Sequence, residues 1–502
     1  VSDLEETPAA EVVVEGLPAA MSLAPSAAVP ALGAEMLLDP EGHTGVESMR
    51  AGLLQAGPLA AAGVLANGAN VVVTVVLARL LTTHGYGVLN QLTGLFLILS
   101  MPGSAVVVAV VRRVTLWHED GSGHLIRRWS GRIHRQGSWV VLGWAIVVFG
   151  TRHYFAELLG QRSGVGIAAI LTAAAFFVLL SLDRGLLQAH RSYRPLAANL
   201  LVEGGIRTVA VLALVGVGAG SSGAAVGILV AEVVAAGHAR WAAVRAWSEE
   251  SARWPLSGRR AASSALATVI GTVGALSPRR WVTGWMAALR PDHVLGGDEV
   301  QRHRVVLDLV IASVSLSMIA CLQNIDVLIV GRDDQTHSGA YAAVSVTSKA
   351  IVFGAIVLGG YLLPEAAIRW RQGGHALRQL AVVLVLLAIP AAGLLLVALA
   401  APHLLLEVVF HHGYTATASA LAPLVGAMIL LSVSVILTMY LLAVGKRWVV
   451  AVLVAGALAL TLAVAAVHGA PHATALADLV VQAVVAGIVV SGFTLVHRLR
   501  LR

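Results

Sequence analysis

Residues 378–400 read RQLAVVLVLLAIPAAGLLLVALA, and no charge follows the opening arginine. At 1.5 Å per residue, a helix of roughly 20 such residues crosses the ~30 Å hydrocarbon core of a bilayer. Lipid offers the backbone no hydrogen-bond partners, so helix is the conformation such a stretch must take. Eleven more stretches have the same character: 53–78, 88–111, 137–158, 165–190, 196–219, 223–246, 305–330, 340–364, 419–442, 447–467 and 474–496. The fold class is therefore all-α, a polytopic membrane protein of about twelve transmembrane helices. Of the 502 residues 58% are hydrophobic and only 12% are charged, and the mean hydropathy is +0.83. No soluble core is that apolar, so any functional site must be built between helices.

The formal net charge is +7, and its distribution excludes nucleic-acid binding as its meaning. Even-numbered connections are basic: Arg112, Arg113, Arg127, Arg128, Arg132 and Arg135 follow span two, and Arg240 through Arg304 follow span six. Odd-numbered connections hold only Arg79, Arg152, Arg162 and Arg332. Positive charge stays on the cytoplasmic side, which places both termini in the cytoplasm and the spans in the cytoplasmic (inner) membrane, and gives the arginines membrane lipids as contacts. Cys321 is the only cysteine, so no intrachain disulfide forms and a cysteine-based metal site is not expected.

The spans divide into two sets of six. Residues 1–50, rich in Ala, Pro and Glu, read as a disordered acidic tail; 51–246 form a first six-helix lobe, 247–304 a basic cytoplasmic linker, and 305–502 a second lobe with a short basic tail. The leading segment is acidic where a secretory signal is basic, so insertion is expected through span one, and Met49 directly before it is a candidate start. Within the linker, 261–277 is uncharged between Arg259–Arg260 and Arg279–Arg280, and an interfacial helix is expected there.

Two motifs stand at corresponding places in the halves. The first is Thr74-Val-Val-Leu-Ala-Arg-Leu-Leu followed by His84-Gly-Tyr-Gly. The second is Gln323-Asn-Ile-Asp326 ending span seven, then Ser338-Gly-Ala-Tyr341 opening span eight and Leu363-Pro364 near its end. Together they resemble the bacterial polysaccharide flippases of the multidrug, oligosaccharidyl-lipid and polysaccharide exporter superfamily, over about residue 50 to the carboxyl terminus. The long linker, the acidic tail and Glu365 depart from that pattern. The resemblance implies two lobes around a central cavity and alternating access. The implied substrate is a polyprenyl-diphosphate-linked saccharide, moved from the inner to the outer leaflet. Implied working partners are a polysaccharide polymerase or glycosyltransferases.

A charge inside a span costs about 2.5–3.5 kcal/mol on insertion scales, so each needs a reason. Arg79 reads either as a snorkelling anchor or as a phosphate contact suited to bidentate oxyanion binding. Asn67, Asn70 and Thr74 share a face of span one, lining a cavity or bonding to neighbouring helices. Asp308, Ser315 and Asp326 fall on one face of span seven, because eighteen residues make five whole turns. Asp326 has three readings: helix-end polarity, a partner for Lys349 or Arg332, or a site for a coupling cation. Lys349, with Tyr341, Ser345 and Ser348 on the same side, needs either a carboxylate or an anionic substrate. Glu203 and Arg207 are spaced to pair within one helix. Glu232 and Asp478 have no basic neighbour on their own helices, so each reads as a proton-coupling candidate or as polar packing. His411, His412 and Glu407 lack the further ligands a metal site needs.

Substrate contact is thus expected at Arg79, Asn67, Asn70, Thr74, Lys349, Tyr341 and Ser345, and ion coupling at Asp326, Glu232 and Asp478. No cofactor or metal is implied, and no GxxxxGK motif for nucleotide occurs. The alternative is a multidrug exporter of the same superfamily. A membrane-embedded polymerase or glycosyltransferase fits less well, because such enzymes place catalytic groups on a substantial external loop and the odd-numbered loops are short.

The charge alternation generates a topology test. Single cysteines introduced into 247–304 resist an impermeant thiol reagent in intact cells, whereas cysteines at Thr82 or Gln335 react. Labelling confined to 247–304 contradicts the orientation.

Overall fold

Valine and glycine are mediocre helix formers in water, yet the spans rich in them are helical, because lipid leaves their backbone groups no other partner. The computed structural model describes residues 46–119, 123–253, 299–371 and 377–501. It contains twelve long helices: α1 (Val46–Leu80), α2 (Thr83–Glu119), α3 (Gly123–Gly150), α4 (Gly164–Ala189), α5 (Tyr193–Leu214), α6 (Gly220–Arg253), α7 (Glu299–Asp333), α8 (Ser338–Arg371), α9 (Leu377–Ala400), α10 (Leu421–Ala443), α11 (Trp448–Ala466) and α12 (Pro471–Leu501). Short helices Arg152–Leu158 and Pro402–Val409 follow α3 and α9. No strand occurs among the described residues.

By length and composition, ten helical runs qualify as membrane spans among the described residues, or eleven with the pair Ile126–Gly150 and Arg152–Leu158, bent by 67°. One run, Tyr193–Ser248, has 56 residues. As a straight rod it would measure about 84 Å, far beyond the bilayer. It breaks at Gly218 (φ 86°) and Gly220 (φ 58°), left-handed conformations that glycine adopts without steric cost. The chain doubles back there. Arg207 of α5 bonds Glu232 of α6, and Asn199 bonds the Ala235 carbonyl, an antiparallel register. Counted as two spans, this run and the bent pair bring the total to twelve.

Several helices overshoot their apolar windows. The sixth continues to Arg253 and the seventh begins at Glu299, so both ends of the expected linker are helical, as is 46–50 of the expected tail. The remainder of those two segments, residues 1–45 and 254–298 with the 261–277 stretch, lies outside the described residues.

In the first half α2 packs on α4, α4 on α6, α5 on α6 and α1 on α5; in the second α8 packs on α10, α10 on α12, and α11 on both α7 and α12. The halves meet through α2, which lies against α7 and α8. Their contacts gather where the odd-numbered connections lie. The Gln91 amide donates to the Leu328 carbonyl at 3.0 Å and to the Leu159 carbonyl at 3.2 Å, and accepts from Gln161 at 2.8 Å. Tyr414 donates to the Ala78 carbonyl at 2.7 Å. The Tyr86 ring sits 5.9 Å from Phe410 and 5.4 Å from Tyr414. Gln335 donates to the Gly160 carbonyl.

The closest approach joins the two motif segments. A Cβ on Gly339 would lie 1.8 Å from the Thr83 carbonyl oxygen, and one on Gly87 would lie 2.5 Å from Ser338 Oγ. Only glycine permits this contact. Gly339→Ala meets backbone, which no rotamer relieves, so it should pry α2 from α8. In a Cys321→Ala background, Ala340→Cys, buried at 3% exposure, should become reactive to a maleimide once Gly339→Ala is added. Unchanged reactivity contradicts the close-contact reading.

Candidate functional site

The second lobe encloses a polar cluster built by three helices. Tyr341, Ser345 and Lys349 recur every four residues and so share one face of α8. That face meets Asp326 of α7. Asp326 Oδ2 accepts from the Tyr341 hydroxyl at 2.9 Å and the Ser345 hydroxyl at 3.3 Å, and Oδ1 lies 3.5 Å from Lys349 Nζ. Lys349 also donates to Asn324 Oδ1 at 3.3 Å. From α12, Gln482 donates to Asp478 Oδ1 at 3.1 Å and to the Leu322 carbonyl at 3.2 Å. Asp478 lies near enough to Asp326 and Lys349 for the charges to interact. Asp326 and Asp478 are fully buried, and Lys349 is 5% exposed. Asp478 Oδ2 and Gln482 Oε1 have no hydrogen-bond partner among the described residues. With all three groups ionised, this cluster holds two negative charges against one positive.

The first lobe encloses a second cluster with a different balance. Glu203 of α5 bonds both Arg207, one turn along, and Arg184 of α4. Arg207 reaches on to Glu232 of α6 at 2.6 Å. Arg184 Nε donates to Asn199 Oδ1 at 2.7 Å, and Asn199 Nδ2 donates to the Ala235 carbonyl at 2.8 Å. All five side chains are buried. Two guanidiniums face two carboxylates, so the network is neutral as it stands. Nearby, buried Asp183 lies 2.8 Å from His134 and 3.3 Å from Arg240.

The candidate substrate residues do not converge on one place. Lys349, Tyr341 and Ser345 are together in the second-lobe cluster, on Asp326. Arg79 is exposed at the end of α1, and no hydrogen bond or ion pair of its side chain occurs among the described residues. Thr74 is buried and donates to the Asn70 carbonyl of its own helix at 2.8 Å. Asn70 is buried beside it, while the side chains of Asn67 and Asp308 lie outside the described residues. Ser315 donates to the Ile311 carbonyl at 2.7 Å. Of the ion-coupling candidates, Asp326 faces Lys349, Glu232 faces Arg207, and Asp478 faces only Gln482 directly. His412 lies 3.0 Å from Glu407 at the surface, and no group of three metal-ligating side chains occurs among the described residues.

Sequence reasoning omits Asp183 and Arg184, although a charge inside an apolar span is the signal that singles out Glu232 and Asp478. Asn199 and Gln482 carry no such signal, since a neutral amide in a span has many ways to be satisfied, and Asn324 stands in the Gln323–Asp326 motif with no role assigned to it there.

No family model matches the chain, and no curated protein matches it in sequence. Solved structures are similar in fold. One is an inward-facing multidrug resistance transporter of the MATE family in the MOP superfamily, with TM-score 0.54 and 11% identity over 84% of this chain and 96% of that one. Another is the lipid II flippase MurJ in an inward closed conformation, with TM-score 0.59 and 9% identity over 86% of this chain and 87% of that one. A third is a MOP superfamily transporter from Pyrococcus furiosus, with TM-score 0.50 and 11% identity over 95% of this chain and 97% of that one. At such identities the likeness is one of fold. The chain is a multi-pass helical membrane protein with the fold these transporters share.

The second-lobe geometry predicts a cost for removing the cation of this cluster, Lys349. Lys349→Met leaves two buried carboxylates without a positive partner and should destabilise the protein by about 3–5 kcal/mol. Lys349→Met combined with Asp326→Leu should recover most of that loss. Denaturation midpoints of the purified protein in detergent decide it, and a single variant as stable as wild type contradicts the pairing.

Proposed function

We propose that this protein is a transporter that flips a lipid-linked oligosaccharide or polysaccharide precursor from the inner to the outer leaflet of the cytoplasmic membrane by alternating access. The observation that carries the proposal is the mutual contact of the two motif segments. His84–Gly87 and Ser338–Tyr341, on which the resemblance to polysaccharide flippases rests, open α2 and α8 and touch each other where the lobes meet. The fold likeness to a lipid II flippase supports the same reading.

With the arginine-rich end in the cytoplasm, the sealed end of the lobes faces outward, and the substrate enters from the inner leaflet. Arg79, with Asn67, Asn70 and Thr74 on the same helix, contacts the anionic head group along its path. Lys349 is held by Asp326 until the second-lobe cluster takes up one positive charge. A proton taken up at Asp478 and passed to Asp326 neutralises the carboxylate that holds the ammonium and frees Lys349 toward the substrate diphosphate, which links proton and anion. The neutral Arg184–Glu203–Arg207–Glu232 network holds its lobe together instead, and Glu232 takes no part in coupling. Glycosyltransferases and a polymerase supply and consume such a substrate, so they are the working partners; the chain itself catalyses no bond change.

A second reading, a multidrug exporter, is favoured by the likeness to a multidrug resistance transporter. Reconstituted vesicles separate the two. A labelled polyprenyl-diphosphate saccharide should become accessible to periodate on the opposite face, and Asp478→Asn should slow this about ten-fold, equivalent to about 1.4 kcal/mol in the barrier. Efflux of cationic dyes without saccharide flipping favours the exporter and overturns the proposal.

A further inference from the structure

A groove of about 740 Å³ runs along the outer side of α12, at the end of the bundle that carries the basic connections. Along α12 the small residues Ala483, Gly487, Ser491 and Gly492 alternate with larger aliphatic ones in its lining. A Cβ on Gly487 would meet nothing within 4 Å, whereas one on Gly492 would lie 2.2 Å from the Trp448 ring. The glycine at 492 thus lets the indole lie against α12 and form one wall, and the glycine at 487 leaves the floor open. Lys446 lines the groove two residues before Trp448, in the connection that precedes α11. Its ammonium makes no ion pair or hydrogen bond among the described residues.

The dimensions and placement identify an occupant. Lining residues run from 483 to 496 of α12, about 20 Å of helix, which spans one leaflet of a ~30 Å core. Only 22% of the apolar window of α12 is buried inside the protein, so the groove opens toward lipid, not toward an aqueous partner. A volume of 740 Å³ lies within the range of about 300–1,000 Å³ typical of small-molecule sites. Lys446, the one cation among the lining residues, beside a leaflet-long apolar groove matches a phosphodiester above an acyl chain.

We propose that this groove binds one anionic phospholipid of the same leaflet, its phosphate on Lys446 and one acyl chain laid along Gly487 and Ser491 beneath Trp448. The site lies outside both charged clusters and is independent of the transported substrate. Titration of the purified full-length protein with phosphatidylglycerol or phosphatidylcholine, followed by native mass spectrometry, tests it. One phosphatidylglycerol should bind about five-fold more tightly than phosphatidylcholine, the worth of one cation at a membrane surface. Lys446→Gln should erase that preference and Lys446→Arg should keep it. Gly487→Trp, which fills open space, should abolish retention of both lipids. A wild-type protein without preference, a preference that survives Lys446→Gln, or retention that survives Gly487→Trp overturns the site. Displacement of phosphatidylglycerol by equimolar polyprenyl phosphate overturns the phospholipid assignment.

Discussion

Hydrocarbon satisfies neither a backbone hydrogen bond nor a charge, and the molecule is organised by how it meets that demand. The backbone requirement makes every span a helix and forces chain reversals to the ends of the bundle, where Gly218 and Gly220 turn one helix back on another. The charge requirement is met separately inside each lobe. Arg184, Glu203, Arg207 and Glu232 form a neutral set with two charges of each sign, knitting α4, α5 and α6 together. Removing one partner of such a set leaves a bare buried charge, so the set is retained or lost as a unit.

The second lobe does not close its account in this way. Asp326, Asp478 and Lys349 lie within one cluster that carries two negative charges against one positive; a carboxylate oxygen without a hydrogen-bond partner among the described residues occurs in both lobes, on Asp478 and on Glu232, so it is the net charge that differs. That imbalance distinguishes the lobes more clearly than any difference in packing. A neutral network suits a body that moves as a unit. A cluster short of one positive charge suits a site whose occupancy changes, and it lies on α7 and α8, the helices that α2 contacts across the lobe interface. A change of charge at Asp326 therefore acts one helix face away from the seal formed by Gln91, Tyr86 and the Gly87–Gly339 contact.

Most of the fold was legible in the sequence because apolar run length is a one-dimensional signal: all twelve spans have a helical counterpart. Helix ends were less legible, since the polar flanks of α6 and α7 continue helical past the apolar window. Pairing was legible only when local. Glu203 and Arg207 follow from spacing within one helix, whereas the partners of Asp326, Asp478 and Glu232 lie on other helices, and no periodicity says which helices adjoin. Asp183 and Arg184 were detectable as intramembrane charges but stand beside each other in a helix, where they look self-neutralising; their partners are in fact on α3, α5 and α6. Conversely, Arg79 at the end of span one and Lys349 inside span eight both read in sequence as cations for an anionic substrate. One is exposed at a helix end and the other is enclosed against a carboxylate.

The central claim is that the second-lobe cluster, not the first-lobe network, carries the exchangeable positive charge. Infrared difference spectroscopy of the reconstituted protein, following the carbonyl band of a protonated carboxyl as pH is lowered, tests it most directly. Lowering the pH should raise a single band that disappears in Asp478→Asn or moves onto Asp326, and that persists in Glu232→Gln. A band lost in Glu232→Gln and unchanged in both Asp478→Asn and Asp326→Asn would contradict it.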